Sequence, residues 1–156
     1  MPTNEGEFTA DEARGIMAVP KGFAGGSRRW ATRGNHAGHK DLTISIVDSD
    51  GSVMAGLTFT AEIKAPVVVD RCFYLFTLYK LHRSGRRRIY QLEVRPANRR
   101  THIDVAGHIY GPHEHFGCDE VRPVEGLNCE EFDRALTYFC ERCSILGNIQ
   151  LPDHTL

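Results

Sequence analysis

Between Asp41 and Val94, apolar residues recur at every second position in three separate segments. That period of two commits the chain to antiparallel strands with one buried and one wetter face. In "DLTISIV" (41–47), Leu42, Ile44 and Ile46 alternate with Thr43 and Ser45. In "LTFTAEIK" (57–64), Leu57, Phe59, Ala61 and Ile63 alternate with Thr58, Thr60, Glu62 and Lys64. In "RIYQLEV" (88–94), Tyr90, Leu92 and Val94 oppose Ile89, Gln91 and Glu93. Between the last two, "VVVDRCFYLFTLYKL" (67–81) is a long β-branched and aromatic run. "DSDG" (48–51) and "HRSGRR" around Gly85 supply turns, and Pro66 ends the second segment. A shorter strand is expected from Ile103 to Ile109.

Near the C-terminus the period changes to 3.6. Phe132, Ala135, Leu136, Phe139, Cys140 and Cys143 make one apolar stripe, which predicts a helix packed on the sheet. Asn128 is the expected cap, with Glu131 three residues on, and Gly147 the expected stop. "FTADEARGIM" (8–17) predicts a short N-terminal helix, with Thr9 and Glu12 at capping-box spacing. Pro20 and the Gly-rich stretch after it end that helix. Residues 21–40 then read as a flexible connector that Trp30 anchors on the core. The fold class expected is α+β: an antiparallel sheet of four to five strands packed by a C-terminal helix, with a short N-terminal helix. Residues 1–156 are expected to form a single domain, with helix and connector in 1–40, sheet in 41–110 and C-terminal helix in 128–146. A chain of 156 residues can bury one sizeable core.

The formal net charge of −1 gives no bulk drive toward nucleic acid or acidic membranes, so phosphate binding would need a local cluster. No apolar run is long enough to span a bilayer, and no signal peptide opens the chain. A cytoplasmic protein without a membrane partner is therefore expected. Five irregularly spaced cysteines argue against a disulfide framework and for reduced thiols. "CERC" (140–143) has CxxC spacing, but both sulfurs fall on the apolar stripe and no second pair stands at zinc-knuckle spacing. Core packing is the better reading.

Three of the eight histidines lie in "HIYGPHEHFG" (108–117). His113 and His115 flank Glu114 after a Gly-Pro turn, so in an extended segment both imidazoles face one side. His102 lies on the preceding segment, and Glu93 ends a strand. His102, His113, His115 and Glu93 are thus candidates for one catalytic cluster. Paired imidazoles suit RNA cleavage, one taking the 2′-hydroxyl proton and another protonating the leaving oxygen. His113 and His115 also suit a divalent metal such as Zn²⁺, with Cys118 a weaker third ligand. The plainest alternative is a His-rich surface turn without chemistry. His108, cut off by Gly111 and Pro112, reads as structural. Arg99 and Arg100, beside His102, are the candidate substrate-binding residues for a phosphate. Arg86 to Arg88 read instead as a solvated, solubilising hairpin, and in neither arginine cluster are aromatic residues interleaved as a nucleic-acid-binding platform requires.

In that order, "FTADEARGIMAVPKGF", the "SDG" turn, "CFYLF", "QLEV", a lone His, "GPHEH" and "YFCERCSI" resemble an uncharacterised family of small bacterial proteins with a His…GPHxH pattern. The resemblance covers most of the chain. It implies a shared architecture and a shared set of His102, His113 and His115, with Glu93 as the acidic position. It implies no named reaction. The segment 95–101 is longer and more basic than the family pattern, and "FGCDEVRP" replaces an aromatic and charged run after His115. A shorter stretch is similar to TumE-type toxins of toxin–antitoxin pairs. The expectation is a toxin-like protein of a mobile element or toxin–antitoxin system, acting on RNA as a His-dependent ribonuclease, with an antitoxin as protein partner. The alternatives are a non-catalytic inhibitor of a host or phage defence complex (anti-CRISPR-like) and a His-ligated metal-binding protein.

Overall fold

The three alternating segments pair as their period requires. The computed structural model describes residues 6–26, 28–32, 38–64, 73–83, 85–96, 100–104, 107–147 and 150–152, with 100–104, 107, 108 and 110 described by backbone alone. The elements are α1 (Ala10–Met17), β1 (Gly22–Phe23), β2 (Ala31–Thr32), β3 (His39–Val47), β4 (Val53–Lys64), β5 (Phe73–His82), β6 (Gly85–Val94), β7 (Arg100–Asp104), β8 (Gly107–Tyr110), β9 (His113–Phe116), β10 (Glu120–Pro123) and α2 (Phe132–Arg142). Eight strands form one antiparallel sheet in the order β1-β3-β4-β5-β6-β9-β10, with β2 also on β3.

The fold is α+β, but the sheet is larger than the four to five strands expected. Two of the additional strands, β1 and β2, lie in the segment read as connector and pair with β3. Each is two residues long, too short for a period to show. The other two are β9 and β10. All four residues of β9 are buried, so no polar–apolar alternation marks it. Where one strand was expected over 103–109, β7 and β8 form a separate two-stranded sheet.

The capping box of α1 is present: Thr9 Oγ1 accepts from the Glu12 amide and Glu12 Oε1 accepts from the Thr9 amide. Asp119 also accepts from the Ala10 amide at 2.7 Å, tying the helix start to the end of β9. Helix α2 starts later than expected. Asn128 accepts from the Glu130 amide at 2.9 Å and so closes a turn ahead of the helix rather than capping it. The helix stops at Cys143, followed by Ser144 at φ 56°, before Gly147 is reached.

The stripe of α2 is buried as its period implied, over Phe59, Phe76 and Tyr90 of the sheet. Trp30 reaches this core too, with its ring against Phe132 and its Nε1 donating to the Pro152 carbonyl at 2.7 Å. Lys21 was not singled out by the sequence. It is buried where the two helices end, donating to the carbonyls of Met17 (3.0 Å) and Cys143 (2.8 Å), and burial lowers its pKa to about 8.

Gly117 follows β9 at φ 57°, and a Cβ there would lie 2.3 Å from the Phe8 carbonyl oxygen. Its amide donates to Ile89 and the Cys118 amide donates to Phe8, so the backbone of the segment before α1 lies directly on this turn. Gly117→Ala should destabilise the protein by roughly 2–4 kcal/mol, from left-handed strain plus displaced backbone. A denaturant melt within about 0.5 kcal/mol of the parent would contradict that packing.

Among the described residues no helix is long and apolar enough to cross a membrane. Cys140 and Cys143 are free and buried, and burial pushes the Cys140 thiol up to about 12 and Cys143 upward as well. Such thiols are inert core groups, as the helical stripe implied. The expectation of five free thiols fails at Cys129, which is disulfide-bonded. Such bonds persist in oxidising surroundings, so Cys129 does not favour the reduced compartment expected from irregular spacing. Spacing along the chain carries no information on which sulfurs the fold brings together.

Candidate active site

Strand β9 is the middle of the "HIYGPHEHFG" stretch. Gly111 at φ 71° and Pro112 turn the chain out of β8 and into the main sheet. There β9 lies between β6 and β10, with Glu93 opposite His113, Leu92 opposite Glu114, Gln91 opposite His115 and Tyr90 opposite Phe116. A strand's period of two then splits the motif. His113 and His115 share one face with Glu93 and Gln91, whereas Glu114 and Phe116 face α2.

On the first face, His113 Nε2 is 3.0 Å from Glu93 Oε2, and its Nδ1 is 3.3 Å from the Gly111 carbonyl. The His115 ring stands edge-on to it at a centroid distance of 4.9 Å. Arg95 donates to the other Glu93 oxygen at 2.9 Å, and its guanidinium covers the Phe73 ring. Gln91 donates to Thr77 at 2.9 Å and accepts from Arg88 at 3.3 Å. Three of the predicted residues, Glu93, His113 and His115, are therefore brought together. Both rings are buried, His113 at 1% exposure and His115 at 7%.

Two of the remaining predicted residues, His102 and Arg100, belong to the β7–β8 hairpin. His102 and Arg100 are placed by their backbones on β7, opposite Ile109 and Tyr110 respectively, and Arg99 lies outside the described residues. This hairpin joins β6 to β9, so it springs from the sheet end where Glu93 and His113 pair. Cys118 is exposed and free.

Burial alone would raise the Glu93 carboxyl. Hydrogen bonds from His113 and Arg95, with the charges behind them, outweigh it and leave the group below its usual value. A depressed carboxyl contributes stability that is present above its unfolded value of about 4.3 and lost as pH falls through the lower folded value. Glu93→Gln should therefore melt at a temperature that changes less than the parent's between about pH 5 and pH 2. Parallel acid limbs for the two proteins would show that the carboxylate is not held by these partners.

The opposite face holds a group that the sequence reading missed. Glu114 is 2% exposed and accepts from Tyr90 (3.0 Å) and Tyr138 (2.8 Å), while Arg142 lies 3.2 Å from each carboxylate oxygen. Burial first, then the Glu114 charge, raises the Tyr90 hydroxyl; burial and the Glu114 hydrogen bond raise Tyr138. A fully partnered buried carboxylate of this kind fixes α2 on the sheet. The part readable in principle is that alternation along an extended "HEHF" sends Glu114 to the face opposite the two histidines.

For a metal, the donor set is poor. Among the described residues no group of three or more His, Cys, Asp or Glu side chains is placed to hold an ion. Both nitrogens of His113 already face oxygen acceptors. No protein-family model, curated protein or solved structure matches the chain.

Proposed function

We propose that this chain is a toxin-like protein, of a mobile element or a toxin–antitoxin pair, that cleaves RNA with histidines as acid and base. The observation that carries the reading is the contact of Glu93, His113 and His115 on one face of two paired strands. The Glu93 carboxylate orients the His113 ring through Nε2. His115, adjacent, then serves as the base. It takes the 2′-hydroxyl proton, the oxygen attacks phosphorus, and the P–O5′ bond breaks as His113 protonates the leaving oxygen through Nδ1, which exchanges the Gly111 carbonyl for substrate. The products are a 2′,3′-cyclic phosphate and a 5′-hydroxyl. The backbone places His102 and Arg100 on the hairpin that joins β6 to β9, and the sequence pattern assigns His102, Arg99 and Arg100 to the substrate's phosphate in this reading. The likeness of the segment to the uncharacterised His…GPHxH family supports a shared site and leaves the reaction to chemistry.

The near-complete burial of both rings favours a second reading, a non-catalytic inhibitor of a host or phage defence complex in which the His–Glu pair only braces the sheet. Incubation of the parent protein with total RNA in EDTA separates the two. Fragments ending in cyclic phosphate support the ribonuclease; intact RNA supports the inhibitor. Cleavage that appears only with an added divalent metal would favour the metal-binding alternative.

A further inference from the structure

The tip of the β5–β6 hairpin looks different in space from how it reads along the chain. The antiparallel register sets Tyr79 opposite Arg88 and Leu81 opposite Arg86, across a bulge next to Leu78. Cross-strand neighbours share a face, so Tyr79 lies between two arginines that are distant from it in sequence. The Arg86 guanidinium sits 4.8 Å from the Tyr79 ring centroid. Arg83 and Arg86 are exposed, and Leu81 is 61% exposed. Lys80 pairs in register with Arg87, which meets Glu7 at 3.5 Å. The tip thus carries clustered cations and an aromatic ring, on a chain whose net charge is −1.

The same face continues toward the histidines. Tyr79 and Arg88 are followed by Thr77 and Gln91, then by His115 opposite Gln91, and by Glu93 with His113. Arg88 and Gln91 are hydrogen-bonded along this row. From Arg86 to Glu93 the strand advances roughly 20 Å, a distance spanned by a few nucleotides.

We propose that single-stranded RNA docks on the Tyr79–Arg86 tip of the β5–β6 hairpin, its phosphates on Arg83 and Arg86 and a base against Tyr79. Cations beside an aromatic face are the chemistry that sequence-tolerant single-strand binding uses. A duplex hides its base faces and cannot use Tyr79 in this way. The choice of RNA rests on the ribonuclease reading, while the surface itself does not depend on cleavage.

The test uses fluorescence anisotropy with a labelled, uridine-rich single strand of about 12 nucleotides whose 2′-hydroxyls are methylated so that it cannot be cut, with unmodified RNA kept for the cleavage readings, in EDTA. The parent should bind it, and Arg86→Ala should weaken binding about tenfold while reducing the magnitude of the log–log salt slope by about 0.7. Tyr79→Ala should weaken binding by a similar factor. Tyr79 is half-buried, so if that variant fails to fold, the exposed Arg86→Ala and Arg83→Ala carry the result. Binding by Arg86→Ala and Arg83→Ala within about twofold of the parent would overturn the inference. So would a parent that ignores the strand, or one that prefers phosphatidylserine vesicles to it. RNA bound by the parent but left intact would sink the ribonuclease alone. RNA cleaved equally well by parent and Arg86→Ala at low concentration would sink the docking surface alone.

Discussion

His113→Ala and His115→Ala should each slow RNA cleavage by about 10²–10⁴-fold, the usual worth of a positioned acid or base. The two losses should not multiply in the double variant, because acid and base act in one step. Cleavage by the parent should follow a bell in pH, as catalysis by an acid and a base together requires. Stability must be followed in parallel. His113 is buried against Glu93, so its truncation leaves a cavity and leaves a carboxylate dependent on Arg95. Melts recorded alongside the rates separate a missing proton donor from a damaged sheet. Parental cleavage rates in both folded variants would end the catalytic reading and leave the pair a structural brace.

Phe139→Ala should cost on the order of 3–5 kcal/mol, the range for emptying a fully buried aromatic site. Phe139 is 0% exposed. Its ring centroid lies 5.2 Å from Phe59, 5.3 Å from Tyr90 and 6.0 Å from Phe76, so one side chain joins α2 to β4, β5 and β6. The sheet cannot follow a shrinking residue, because its strands are held by their ladders, and most of the void should persist. Phe139→Leu should recover part of the loss by filling volume. The readout is the denaturant midpoint at constant slope. A midpoint equal to the parent's would mean that α2 does not cover the sheet.

How much of this was legible beforehand depends on the length and environment of each element. Strands β3, β4 and β6 announced themselves because one face is buried and the other is not, which writes alternation into Leu42–Ile46, Leu57–Ile63 and Tyr90–Val94. The stripe of α2 was legible for the same reason at a different period. Strand β9 was not, because His113, Glu114, His115 and Phe116 are all buried and three of the four are polar. A polar residue in a chain is read as exposed; only its partners across the sheet reveal otherwise. Both ends of α2 were misplaced because a turn at Asn128 and a left-handed Ser144 compete locally with the cap and the glycine stop.

The same division holds for the site. By itself the sequence determined that two imidazoles two residues apart must share a face in any extended segment, since the backbone pleat imposes it. It also determined the fold class, because hydrophobic periods of two and 3.6 each have one stable solution. Only the tertiary structure decided that Glu93 is the residue opposite His113, that Glu114 is withdrawn to Tyr90, Tyr138 and Arg142, and that Tyr79 stands between Arg86 and Arg88. Those are matters of register, between strands as separate as β6 and β9 or across the bulged β5–β6 hairpin. Register is set by the packing of whole faces and by bulges such as the one after Leu78, quantities that no local window of sequence contains.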